Sequence, residues 1–343
     1  RYLSCVLLTL AGMMSVYSLG WTGCADVPPP LAFMPLNLPL ALGPLLFGYV
    51  SALATGRGFS RLYAHLAPAL VHFVYLCVVL ALPEGARTAW KEGPHDQTVK
   101  PLLEAATLAS LILYAFAGLR LHRRYRAWLE QARSDADRYA ARWIAGALIT
   151  LLATLLALTL LRLYTWFVAE LETGPLYLWL GIWAIWLGVE GWRYTERRFP
   201  IMAAPSPTPT AMAPSATQGP DWCELGDRWR SRVQAEGWWR APDLSLADLA
   251  ARLGTNTAYL SRAVNEGLGM NFNEMINRMR ASEAARLIQS DSSATLVQIA
   301  LDAGFSSKAT FNRAFRSVYG ASPSEFRRLR SQISTVAQES EAS

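Results

Sequence analysis

Six long runs without a charged residue break up the first 198 positions: Tyr2 to Ala25, Val27 to Gly56, Leu62 to Pro83, Ala105 to Leu119, Trp143 to Leu161 and Thr173 to Val189. A helix needs about 20 residues to cross about 30 Å of hydrocarbon, so each run is close to the length of a membrane span. Helices of a water-soluble core keep a polar face, and these runs are apolar all round. A single cleaved signal peptide does not account for six of them. Between the runs the positive charge alternates. Trp21 to Pro30 and Tyr164 to Gly174 hold no Lys or Arg, whereas Arg120 to Arg142 holds seven arginines and Arg193, Arg197 and Arg198 follow the last run. Arginine-rich loops stay cytoplasmic, which places both ends of this polytopic domain on that side. Trp143, Trp166, Trp179 and Trp192 fall near span ends, where aromatic belts form.

Within the spans, His65 and His72 are seven positions apart on one face of the third helix, and Glu104 lies near the start of the fourth. Ionisable groups at membrane depth are costly and often functional, so these three are the candidates for a sensor or for intramembrane polar contacts. A bis-histidine haem site needs an opposing axial ligand in another span, and His95 and His122 lie in loops. Paired carboxylates, a metal-ligand cluster, a nucleophile elbow and a phosphate loop are all missing at useful spacing. The chain therefore reads as no enzyme, with no cofactor, metal or catalytic residue. Pro35, Pro39 and Pro44 predict a kinked or partly unwound second span.

The composition then changes. Pro200 to Pro220 has six prolines and no charged residue. Such a stretch builds no core and extends at about 3.1 Å per residue, so it reads as a linker over 199–220 that spans on the order of 60 Å. It lacks the packed contacts needed to pass a small helix rotation, which favours signalling by association of the membrane domains. From 221 the period is 3.6. Ser245 with Asp248 forms a capping box, Leu246, Leu249, Ala250 and Leu253 share one face, and Gly254 stops the helix. After a tight turn, Leu260, Ala263 and Val264 face inward and Ala258, Ser261, Arg262 and Asn265 outward. The pattern recurs. Thr295 and Gln298 cap Leu296, Ile299, Ala300 and Ala303, Gly304 stops that helix, and the next buries Phe311, Ala314, Phe315 and Val318 with Lys308, Ala309, Asn312, Arg313 and Arg316 outward. Leu246, Leu249, Ala250 and Gly254 match Leu296, Ile299, Ala300 and Gly304 at an offset of 50, and Leu260, Arg262, Val264 and Gly269 match Phe311, Arg313, Phe315 and Gly320 at 51. Two helix-turn-helix copies therefore flank one connecting helix, Phe272 to Gln289, and Ser322, Pro323 and Glu325 cap a last short helix. The fold class is all-α: a polytopic helical membrane domain over 1–198 plus a soluble, homeodomain-like domain with two helix-turn-helix motifs over 221–331, ending in a disordered tail, 332–343.

The run LSLADLAARLGTNTAYLSRAVNEGLGMNFNEMINRMRASEAARLI followed by IALDAGFSSKATFNRAFRSVYGASPSEFR resembles the DNA-binding domain of the AraC/XylS family of bacterial transcription regulators. LNLPLALGPLLFGYV, with the His65 to Phe73 stretch, is similar to a subgroup in which a multi-span membrane region replaces the soluble sensor. The resemblance implies two recognition helices in successive major grooves of double-stranded DNA. Carried over by position, it implies base-edge or phosphate contacts from Ala258, Ser261, Arg262 and Asn265 in the first and Lys308, Ala309, Thr310, Asn312, Arg313 and Arg316 in the second. It further implies RNA polymerase, membrane lipid, a homodimer and a small-molecule or envelope signal as partners, in the bacterial inner membrane. The carboxy-terminal region nets only +1, yet Met275 to Arg330 carries nine basic residues against four acidic, so the groove-facing surface is still expected to be positive. A transporter or channel with a regulatory helical tail is the competing class, and no repeat between the spans supports it. Because the chain starts at Arg1 rather than Met, it reads as a trimmed form.

Overall fold

Apolar runs without a period of two form helices, and the computed structural model is built of helices and their connecting turns over its described residues: 1–20, 29–167, 174–194, 199–202, 220–290, 294–330 and 332. The linker residues 203–219 and the tail from 333 lie outside the described residues, as do the side chain of Trp166 and the last part of the first expected span. The one strand-like feature among the described residues is an isolated bridge between Arg133 and Ser245. The chain divides into two compact units, Arg1–Arg124 with Ala141–Met202, and Tyr125–Ala140 with Ala203–Ser343.

The first unit contains α1 (Tyr2–Gly20), α2 (Pro29–Ala32), α3 (Leu42–Thr55), α4 (Leu62–Leu80), α5 (Glu84–Trp90) and the greater part of α6 (Lys100–Ala132). After α7 (Ala136–Tyr139) in the other unit, α8 (Arg142–Phe167) and α9 (Gly174–Arg193) complete it. A helix therefore stands in each of the six uncharged runs. Among the described residues, Leu62–Leu80 and Glu84–Ala132 are long and apolar enough to cross a membrane, and Tyr2–Ser15, Pro39–Thr55 and Arg142–Ala157 are also apolar helical stretches. The second run is not one helix. Turns and a 3-10 segment at Pro39–Ala41 separate α2 from α3, because Pro35 and Pro39 lack the N–H that a continuing ladder needs. Pro44 sits in the first turn of α3, where a missing N–H costs nothing.

Val6, Leu10, Leu45, Leu46, Val50 and Leu148 belong to a common core. The outward residues of α4 are also apolar: Leu70, Val71, Val74 and Val78 are exposed while Ala69, His72, Leu76 and Val79 are buried. Trp143 departs from the belt expectation. It is buried against Tyr49 and Tyr194, with ring centroids 5.8 and 5.9 Å away, because α8 turns that side inward.

The second unit is built on one long helix. Asp221 caps α10 (Trp222–Ala235), and α11 (Leu246–Leu253) and α12 (Thr257–Arg262) form the first helix-turn-helix. The connector α13 (Phe272–Ser290) leads to α14 (Leu296–Asp302), α15 (Lys308–Tyr319) and α16 (residues 323–330). Phe272, Met275 and Ile276 of α13 join the core of the first copy with Leu249, Leu260 and Val264. Ala281, Ala284 and Ile288 of the same helix join the core of the second with Ile299, Phe311 and Phe315. A continuous helix thus holds both copies at a set spacing. Val318, expected inside, is 37% exposed, since it lies one turn beyond the end of that core.

Candidate nucleic-acid interface

Each helix of the two copies starts on a side-chain cap, and the first helix of each copy stops on a left-handed glycine where the second must turn away. The Asp248 N–H donates to Ser245 Oγ at 3.1 Å and the Ser245 N–H to Asp248 Oδ2 at 3.0 Å, closing the capping box of α11. Asn256 accepts from the Tyr259 N–H at 2.8 Å to start α12, and Ser307 from the Thr310 N–H at 3.2 Å to start α15. The equivalent stops Gly254 and Gly304 have φ of +69° and +82°. At Gly304 a side chain is excluded twice over, because a Cβ would lie 2.6 Å from the Arg240 carbonyl oxygen.

This geometry turns α12 and α15 into presented helices. Ala258, Arg262 and Asn265 are exposed and Ser261 half-buried; Lys308, Ala309, Asn312, Arg313 and Arg316 are exposed. Asn265 Nδ2 donates to Ser261 Oγ at 3.2 Å. Thr310 is placed differently. It is 4% exposed, and its hydroxyl faces Ser307 Oγ at 2.9 Å and Asp137 Oδ2 at 3.4 Å. The remaining sequence candidates lie in the first unit. His65 Nδ1 meets the Tyr114 hydroxyl at 2.7 Å, His72 is buried beside Tyr75 with an Nδ1 that has no hydrogen-bond partner, and Glu104 is exposed.

Both repeated arginines are paired with a carboxylate, in different ways. Arg262 Nε donates to both oxygens of Glu266 at 2.9 Å, one turn along, and its guanidinium lies 4.7 Å from the Trp222 ring centroid. The position one turn beyond Arg313 is Ser317, and Arg313 pairs with Asp137 of α7 instead. The sequence reading did not single out Asp137. The available signal was a carboxylate inside an otherwise arginine-rich loop.

Arg280 was also missed as a structural residue. It is 1% exposed on α13, its Nε donating to the Trp239 carbonyl at 2.8 Å and its Nη2 to the Ala241 carbonyl at 2.7 Å. Burial pushes its guanidinium down to about 10, opposed by the negative Asp135 and Asp243, so it stays charged at neutral pH. One of the nine basic residues expected to build the positive surface therefore points into the domain. Its sequence signal was an apolar ladder, Ile276 and Ala284, interrupted by an Arg at the i+4 position between them.

The helix-turn-helix domain model matches residues 249–329. The chain is 31% identical over 88 residues to the probable transcription factor PqrA of Proteus vulgaris, covering 26% of this chain and 71% of that protein. The chain belongs to the AraC-type helix-turn-helix family. This AraC-type chain is also 36% identical over 85 residues to an uncharacterised HTH-type transcriptional regulator of Staphylococcus aureus (strain COL), across 25% of its own length. It spans only 11% of the length of that staphylococcal relative. Among solved structures, it is similar to the carboxy-terminal domain of AraT, a response regulator from Geobacillus stearothermophilus, at 28% identity over 33% of this chain and 88% of that one, with a TM-score of 0.28.

Proposed function

We propose that this chain is a membrane-bound, sequence-specific DNA-binding transcription regulator of AraC type, and not an enzyme. The observation that carries the reading is the pair of presented helices, α12 and α15, both seated on α13 and both offering groups that hydrogen-bond base edges. Side chains at a groove read sequence through such groups: Arg to guanine O6 and N7, Asn to adenine N6 and N7. Ser261, Arg262, Lys308, Asn312 and Arg313 are of this kind, while Ala258 and Ala309 offer apolar contact or close backbone approach. Two copies on one rigid helix suit adjacent major grooves on one face of a duplex.

The membrane part of the proposal rests on the apolar outer surface of α4 and on the two long apolar stretches. Apolar surface left in water is unfavourable by about 25 cal/mol per Å², and a contiguous patch of it marks a partner or a bilayer. Six spans with the DNA-binding domain on the cytoplasmic side fit the arginine distribution and bring the domain to the compartment that holds DNA. The unit carrying His65, His72 and Glu104 is then the sensor of a small-molecule or envelope signal, and the domains over 1–198, 199–220 and 221–331 divide sensing, tethering and DNA reading. The test is selection of duplexes from a randomised pool by the full-length protein in lipid nanodiscs. Recovery of one recurrent sequence supports the reading, and recovery of none overturns it.

A further inference from the structure

The segment between α6 and α8 lies in the same compact unit as the DNA-binding helices, although the chain places it between two apolar helices of the other unit. Its contacts form a built seat. The Ser134 N–H donates to the Leu244 carbonyl at 3.1 Å and the Ser134 hydroxyl to the same oxygen at 2.8 Å. Asn273 Nδ2 donates to the carbonyls of Arg133 and Ser134 at 3.0 and 2.9 Å, and Arg280 Nη2 donates to Ser134 Oγ at 3.0 Å. Ser134 is 0% and Asp135 1% exposed. Arg133 Nε holds Asp135 Oδ1 at 2.7 Å, so the buried carboxylate is paired. Buried polar groups satisfied on this scale define one bound arrangement rather than a loose collapse.

Two residues further on, Asp137 reaches the outer face of α15, where it pairs with Arg313 and accepts from Thr310. Arg313 cannot give the same donors to a carboxylate and to a guanine or phosphate together, and a carboxylate at that face repels the DNA backbone. We propose that the seat formed by Leu244, Asn273 and Arg280 receives the chain's own segment Arg133–Asp137 as an intramolecular latch, which competes with DNA for Arg313. The proposal rests on the DNA-binding reading above. Arg262 has a carboxylate one turn along, Glu266 in the π-helical turn Ala263–Gly267 that continues α12, which moves with it. Arg313 has one from a separate segment, so only the second copy is under this control.

The latch also gives the signal a route other than the proline-rich linker. Residues 133–137 are covalently framed by α6 and α8, so movement of either helix acts on the segment directly. Two states then exist, segment seated with Arg313 occupied, and segment released with Arg313 open. Whatever binds the released state better shifts the population towards it.

The test uses the full-length protein in nanodiscs and the duplex it selects from a randomised pool. Asp137→Asn should raise affinity about two- to fivefold, the scale of a partly exposed ion pair. Asn273→Ala, which changes no charge, should raise it as well, separating release of the latch from removal of a repulsive carboxylate. Hydrogen exchange in residues 133–137 should increase on adding the duplex. Unchanged affinity in both variants, or a segment that stays protected with DNA bound, overturns the latch. If Arg313→Ala still weakens binding in that case, the DNA-binding reading stands alone. If the wild-type protein selects no duplex, both fall together.

Discussion

Arg313 on the outer face of α15 is paired with Asp137, a residue of the segment that joins two apolar helices. Its repeat counterpart Arg262 is paired one turn along, with Glu266 of the π-helical turn Ala263–Gly267 that continues α12. The two presented helices thus carry an arginine at the same repeat position and differ in where its carboxylate partner comes from.

For Arg313→Ala, a bidentate contact to guanine predicts a loss of about 1 to 3 kcal/mol and a relaxed preference at one base pair. A phosphate contact predicts weaker binding to all sequences and a salt slope lower by about one unit. Titration of the selected duplex and its single-base variants at several salt concentrations separates the two. Unchanged affinity would return Arg313 to an ordinary solvated position.

Gly304 and Gly254 should tolerate a methyl group very differently. Both need positive φ, which costs a non-glycine residue about 1 kcal/mol. Only at Gly304 would the added Cβ meet the Arg240 backbone, 2.6 Å away; at Gly254 it would meet nothing within 4 Å. Gly304→Ala should therefore loosen α14 and α15 in hydrogen exchange much more than Gly254→Ala loosens α11 and α12. Equal effects would show that the backbone at 304 gives way.

Arg280→Ala should be among the most damaging single changes in the carboxy-terminal unit. It leaves the Trp239 carbonyl without its donor and takes one donor from the Ser134 hydroxyl and from the Ala241 carbonyl, which keeps the Leu244 N–H, a cost of about 2 to 4 kcal/mol. Exchange rates of the α13 amides measure it, and wild-type protection would contradict the buried network.

Hydrogen bonding and charge from Arg286, with Arg240 beside it, hold the Glu283 carboxyl below its ordinary range, against the opposing effect of partial burial. A depressed folded value means that its contribution is present above the unfolded value, near 4.3, and is lost as pH falls through the lower folded value. Glu283→Gln should lower stability at neutral pH and flatten the acid limb between those two values. An acid profile parallel to wild type would remove Glu283 from the account.

Much of the carboxy-terminal unit was legible because its rules are local. The period of Leu246, Leu249 and Ala250, the caps Ser245 and Thr295, and the stops Gly254 and Gly304 are all set within a few residues of one another. The docking of Arg133–Asp137 was not legible, because it is made by backbone carbonyls and side chains 110 or more positions apart, and no period records it. Arg280 was read by its charge, while the structure uses its donors inward. In the first unit the apolar runs located the helices, and Pro35 and Pro39 marked the second run as the one that unwinds.

A topology measurement tests the membrane part independently of DNA. The proposed orientation puts the residue after the last run on the cytoplasmic side, so a periplasm-dependent reporter fused after Arg198 should stay silent. Activity there would overturn the orientation and the span count together.

The most direct measurement is a genome-wide map of DNA bound by the intact protein in the cell, compared with the same map for the Arg262→Ala, Arg313→Ala double variant. Discrete sites are predicted, each with two sequence elements about one helical turn apart and both lost in the double variant. A map without enrichment above background, or discrete sites that persist unchanged without the two arginines, would contradict it.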